Sequence, residues 1–325
     1  MLRALGRRLA TAALTLLLVS LVVFVLIQLA PGEPLAGGRE DEGLHRLSPE
    51  ARQQLRAIYR LDQPLHRQYL LWLADVARGD LGRSFHDRRP VAEKIGERIG
   101  VTLTLNGLAL SLMVLLSIPL GGMAALKPGS RWDNVSAAGT YLLYAVPVFW
   151  AGLLLQIVFA VRLDWLPLAG LRSQDSEFLG PLARLADHAS HMLLPVICLT
   201  YGGLAYLSRF VRAGLIDSAV VESWRAARAR GLSSAAVLMR HGFRQAGVPM
   251  LTLAGFLLPA LVSGSVIVET IFAIPGLGRM FFEAAFQRDM PVLMGLTLLS
   301  SIATLAGILL ADLLYAIVDP RVRRA

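Results

Sequence analysis

Cysteine, lysine and charge within apolar runs are all scarce in this chain, and each scarcity removes a class of chemistry. One cysteine, Cys198, stands alone among 325 residues. Neither a disulfide framework nor a thiolate metal site can form within one such chain, so Cys198 reads as a small buried hydrophobe. Only two lysines occur, Lys94 before Ile95 and Lys127 before Pro128. A phosphate-cradling loop needs a glycine-rich turn followed by Lys and then Ser or Thr, so ATP hydrolysis by this chain is not expected. Among the six histidines, His188 and His191 could share a helix face beside Asp187. No further carboxylate or cysteine completes a metal site, and the pair reads as a solvated entry to a helix. Internal repeats, low-complexity tracts and the period-two alternation of a membrane barrel are not evident either.

What the chain has is apolar length. Hydrophobic residues make up 55% of it and the mean hydropathy is +0.57, well above soluble norms. A spanning helix needs about 20 apolar residues, and six runs qualify: roughly 9–30, 101–126, 134–161, 192–213, 248–271 and 291–318. Without water, backbone groups must pair inside each segment, so helices are the default. The expected fold is an all-α polytopic membrane protein with six transmembrane helices.

The net charge of +9 does not point to nucleic acid, because the basic residues gather at the ends of apolar runs. Arg3, Arg7 and Arg8 precede the first run, and Lys127 and Arg131 follow the second. Seven arginines (209, 212, 225, 228, 230, 240 and 244) cluster around the connection after the fourth, against Asp217 and Glu222. Arg321, Arg323 and Arg324 close the chain. The positive-inside rule then puts both termini and the two even connections in the cytoplasm. The first apolar body, Leu9 to Ile27, exceeds the core of a cleaved signal, and Gln28 to Ala30 is a poor cleavage site. A retained anchor is expected.

Residues 31–98 form the one long connection outside. Ser48, Pro49 and Glu50 resemble a helix start, Pro64 a break, and Tyr69 to Val76 another apolar run. A small helical region on the membrane is expected, too short for a core of its own, with 91–98 leading into the second span. Pro119, Pro147, Pro195 and Pro259 fall in or near spans, where they serve equally well as packing kinks or hinges. Proton-driven carriers usually place ionisable groups within the bilayer. Here Asp312 and Glu269 are nearly alone, which weakens an independent secondary transporter.

Several stretches carry a family likeness. Gly79, Asp80, Leu81, Gly82, Arg83 and Ser84 precede the second span. Ala227, Arg228, Ala229, Arg230, Gly231, Leu232 and Ser233 follow the fourth, ahead of Arg240, His241, Gly242, Phe243 and Arg244. Glu269 to Gly278 reads ETIFAIPGLG, and Asp312 to Arg321 reads DLLYAIVDPR. In this order around six spans they resemble the permeases of peptide/nickel-class ABC importers. With the long first outer connection and Ala30 to Pro34, the chain is similar to the B-type subunit over nearly its whole length.

That resemblance implies an ABC type I importer permease fold. Its parts would be a first transmembrane helix over 1–30, an extracytoplasmic helical region over 31–98, a transmembrane domain over 99–318 with a coupling loop at 214–247, and a cytoplasmic tail at 319–325. It implies a short coupling helix over 223–235, docked on an ATP-binding subunit through Ser223, Trp224, Arg225, Ala226, Ala227, Arg228, Ala229, Arg230, Gly231 and Leu232. Ser223 can cap such a helix and Gly231 can stop it. Trp224, Ala227 and Leu232 offer apolar contact, and the arginines charge-assisted hydrogen bonds. Arg225 to Ala227 stand where many importers carry Glu-Ala-Ala. Glu269, Pro275, Gly276 and Gly278 are either a gate or a tight turn, and Gly79 to Ser84 a turn packed on the outer surface. The implied partners are a second homologous permease, two ATP-binding subunits, an extracytoplasmic solute-binding protein and membrane lipid. ATP and Mg would sit on the partners, with no cofactor on this chain. The implied location is a bacterial or archaeal inner membrane, and the solutes of such systems include peptides, nickel complexes and other small molecules.

Overall fold

The structure, a computed structural model, describes residues 2–29, 50, 53–54, 57, 59–216, 227, 229–237, 261–262 and 264–318. Every regular element among them is helical, and the isolated β-bridge joins Arg83 and Pro90. The helices are α1 (Leu2–Leu29), α2 (Leu65–Ala77), α3 (Val91–Leu126), α4 (Arg131–Ala145), α5 (Val148–Leu155), α6 (Pro181–Ile216), α7 (Ser234–Val237), α8 (Val266–Ile271), α9 (Leu277–Gln287) and α10 (Met290–Val318). Two compact units emerge: Met1–Gly100 with Gly276–Leu305, and Val101–Pro275 with Ala306–Ala325.

Among the described residues, four helices are long and apolar enough to cross a membrane: Gly6–Leu29 of α1, α3, α6 and Met290–Leu310 of α10. At 36 residues each, α3 and α6 measure about 54 Å against a bilayer core of about 30 Å, so both have turns to spare. In α3 the surplus begins as the polar lead-in expected over 91–98. Pro119 and Pro195 lie inside α3 and α6 without ending them.

The expected span over 134–161 bends sharply where Pro147 stands. It is a bent pair whose arms, Arg131–Ala145 and Val148–Arg162, meet at 93°. A residue before proline is pushed out of the helical region, and Val146 is extended (ψ 121°) ahead of Pro147. Beyond α5 the backbone loosens into π-helical turns over Gln156–Arg162. The fifth expected run lies outside the described residues through 260, apart from its C-terminal end in α8. Pro259 is outside them as well.

In the unit holding Met1–Gly100, α2 has no core of its own, as its length implied, and completes one against α1. Tyr69 packs its ring on Phe24, its hydroxyl lies 2.9 Å from Ser20 Oγ and it donates to the Leu17 carbonyl at 3.1 Å. A second cluster joins Val91 and Ile95 of α3, Leu277, Met280 and Ala284 of α9, and Val292, Leu293 and Leu296 of α10.

In the unit holding Val101–Pro275, Leu105 and Ala109 of α3 pack with Leu194 and Cys198 of α6, Val268 of α8, and Phe272 and Ile274 beyond it. Cys198 is fully buried. The Thr200 hydroxyl donates to the Ala109 carbonyl at 3.2 Å as well as to its own helix. Polar contacts of this kind, with small residues at crossings, hold helices together where lipid removes the hydrophobic driving force. Gly121 of α3 is such a crossing: a Cβ there would lie 2.8 Å from Val211 Cβ of α6.

Candidate functional site

The coupling segment is described at residues 227 and 229–237; Ser223, Trp224, Arg225, Ala226 and Arg228 lie outside the described residues. What is described is a helix end. The Ala227 carbonyl accepts from Arg230 N at 3.2 Å and from Leu232 N at 3.4 Å, while Gly231 sits at φ +87°. A left-handed glycine with the following N–H closing back on the last full turn is a Schellman stop. Ser233 then caps α7, its Oγ accepting from Ala236 N. Ala229, Arg230 and Gly231 are exposed. Ala227 is buried within this chain at 6% exposure.

The basic surface is smaller than the seven arginines suggested. Arg209 and Arg212 of α6 pair with one buried carboxylate, Asp133, at the start of α4. Asp133 carried no role in the sequence reading. Its one legible signal was Ser130 followed three residues later by an acid, a pattern that opens helices.

Glu269 lies on α8 and is completely buried. Its Oε1 accepts from Thr102 Oγ1 of α3 at 3.1 Å and from Ser265 N at 3.3 Å. Ser265 also caps α8, accepting from Val268 N. After α8 the chain turns sharply: Ala273 is left-handed (φ 50°) and Ile274 N returns to the Glu269 carbonyl at 2.8 Å. Gln156 reinforces this turn by donating Nε2 to the carbonyls of Ile271 and Leu168. Pro275 is exposed; Gly276 begins the other unit as N-cap of α9, and Gly278 is buried in that helix. The geometry is that of a tight turn in which Glu269 fixes backbone and helix.

Gly79 to Ser84 is a turn, as expected, but its end is buried rather than laid on a surface. Gly79 and Gly82 have positive φ. The fully buried Ser84 donates to Asp289, whose other oxygen accepts from Phe85 N at 3.0 Å. Lys94 Nζ reaches Ser84 Oγ at 3.1 Å and Asp87 Oδ2 at 2.7 Å. Burial opposes ionisation of Asp87, yet its hydrogen bonds to Lys94, Arg89 N and Ser84 prevail, with the Lys94 charge, and lower its pKa from 3.8 to about 2. A depressed carboxylate stabilises the fold above its ordinary pKa, and that contribution fades as pH falls toward the folded value. The thermal midpoint of the purified chain should therefore drop more for the parent than for Asp87→Asn between about pH 4 and about pH 2. Equal slopes would mean the pair contributes nothing.

The histidine pair is also corrected. His191 is buried, not solvated, with Nδ1 2.8 Å from the Asp187 carbonyl, and His188 Nδ1 lies 2.9 Å from the Leu171 carbonyl. His188 ties α6 to the segment before it, while the contact of His191 stays within α6. Among the described residues no group of three metal-ligating side chains forms.

Comparison with known proteins decides the family. Residues 117–324 match the model of the binding-protein-dependent transport system inner membrane component, and residues 1–106 match the model of its N-terminal part. The chain belongs to this family. This permease is 37% identical over 308 residues to the oligopeptide transport system permease protein AppB of Bacillus subtilis, covering 94% of this chain and 95% of that one. It is 34% identical over 340 residues to the dipeptide transport system permease protein DppB of Escherichia coli K12, covering 99% of each. A putative peptide transport system permease protein of Brucella abortus is 37% identical over 98% of both chains. The solved MetNI methionine ABC transporter, in inward-facing conformations, matches with a TM-score of 0.55 at 16% identity, over 70% of this chain and 97% of that one. It speaks to fold alone: a helical membrane permease of ABC-importer type. The resemblance read from the motifs is thereby established, and the chain is a multi-pass membrane permease of a binding-protein-dependent importer.

Proposed function

We propose that this permease forms one half of the pathway of an ATP-driven importer of di- and oligopeptides. The observation that carries the solute class is the identity of 34–37%, over nearly full length, to permeases named for dipeptide and oligopeptide transport. A second, homologous permease completes the pathway. Two ATP-binding subunits bind below it, holding ATP and Mg, and an external receptor delivers the peptide. This chain binds no cofactor and catalyses nothing. Six spans cross an inner membrane with both termini in the cytoplasm, residues 31–98 lie outside, and the domain limits are those expected above.

Residues 223–232 are the coupling helix. The exposed Ala229 and Arg230 beside a rigid glycine stop support this reading, since a short stiff segment passes on a push that a loose one would absorb. Closure of the ATPases around nucleotide draws the coupling helices together and turns the membrane halves outward; hydrolysis resets them. The motion is driven by differential binding, not covalent chemistry. Glu269, Pro275, Gly276 and Gly278 form a turn that keeps the fifth span's end in register rather than a gate that touches solute.

Reconstitution tests the function. Labelled di- and tetrapeptides should enter liposomes holding the full complex only with receptor and ATP present. Peptide flux through this chain alone under a proton gradient would contradict it.

A further inference from the structure

The paired arginines of α6 point to a mechanical role for Asp133. α6 runs to Ile216, seven positions before Ser223, where the coupling segment begins. Arg209 and Arg212 lie within its last two turns. Both reach Asp133, which is 3% exposed. Arg212 grips it with two bonds, Nε to Oδ1 at 2.6 Å and Nη2 to Oδ2 at 2.5 Å. Arg209 adds Nη1 to Oδ1 at 3.2 Å, and its Nη2 reaches Ser136 Oγ at 3.0 Å. Gly129 N donates to Oδ2 at 2.9 Å. One carboxylate thus joins the turn after α3, the first turn of α4 and the end of α6. Beneath it, Ala125 of α3 packs with Val211 and Leu215 of α6.

A buried ion pair is weak evidence for stability, since desolvation consumes most of its attraction; fixing register is its better-attested use. Two planar forks on one acceptor fix direction as well as distance. We infer that Asp133 is a positioning residue for transport: it makes the end of α6 and the start of α4 one lever, so that displacement of the coupling segment moves the bent α4–α5 arm instead of bending the end of α6. The inference rests on the coupling role proposed for residues 223–232.

The test uses the complete importer in liposomes and reads peptide taken up per ATP hydrolysed. Asp133→Asn keeps the shape of the side chain but removes its charge and replaces one of its two acceptor oxygens with an amide that cannot accept from the donors now facing it. It should leave the ATP-binding subunits co-purifying and hydrolysing ATP, while uptake per ATP falls about tenfold, within the range of coupling mutations. Arg212→Lys, which keeps charge without the fork, should fall in between. A mere staple would lower yield and stability without moving this ratio. An unchanged ratio in Asp133→Asn, or failure of both variants to assemble, overturns the inference. Deleting residues 225–232 in parallel separates it from the reading beneath it. Retained uptake there sinks the coupling role itself, whereas lost uptake beside an unaltered Asp133→Asn sinks the lever alone.

Discussion

Removal of residues 225–232 is expected to abolish ATP-driven uptake while the chain still inserts and still pairs with its partner permease. The deleted stretch holds the exposed face at Ala229 and Arg230 and the glycine stop at Gly231; of its described residues Ala227 alone is buried, and none of them belongs to the hydrophobic clusters inside either unit. Its loss should therefore leave the transmembrane packing alone. ATPase closure would have no handle on the membrane halves, and a ligand without a differential grip on two states shifts nothing. Uptake should be undetectable, and basal hydrolysis by the ATP-binding subunits should no longer respond to the receptor. Protease protection and co-purification check insertion and assembly.

Gly121→Leu is expected to have the largest effect on folding. Even a Cβ at this position would sit 2.8 Å from Val211 Cβ and 2.9 Å from Val211 Cγ1, and closer still to the Ser208 carbonyl oxygen of α6. A backbone atom and a β-branched side chain cannot swing aside, so α3 and α6 would have to separate. Overpacking in a close-packed interior costs about 1–3 kcal/mol, and this site should lie at or above the upper end. Gly139 on α4 is the control, because a Cβ there meets nothing within 4 Å. Gly139→Ala should be neutral or gain up to about 1 kcal/mol in helix preference. Yield and thermal midpoint in detergent separate the two; equal behaviour would mean the crossing is not tight.

The elements legible in the sequence were those set by local composition. The long apolar helices, the polar lead-in over 91–98, the stop at Gly231 and the burial of Cys198 all follow from hydropathy or from one residue's backbone preference. Pro147 was visible too, but whether it kinks or breaks a helix depends on whether the preceding residue can leave the helical region. Here Val146 does, and one expected span becomes two arms. What the sequence concealed is pairing at a distance. Ser84 and Asp289 are 205 positions apart, and Asp133 and Arg212 are 79 apart. An arginine ending an apolar run looks alike whether it faces headgroups, a partner or a buried acid, so Arg209 and Arg212 merged with the basic stretch that follows them in sequence. The histidines misled in the same way: they read as a solvated entry to a helix, whereas the chain uses them to hold neighbouring carbonyls, with His191 buried.

The most direct test of the central claim is proximity. Ala229 is exposed and the native Cys198 is buried and free, so Ala229→Cys supplies one reactive thiol on the coupling segment. In the assembled importer it should cross-link to cysteines placed along the groove of an ATP-binding subunit, with a yield that changes between nucleotide-free and ATP-bound states. Absence of any cross-link to that subunit in every nucleotide state, with uptake intact, would contradict the account.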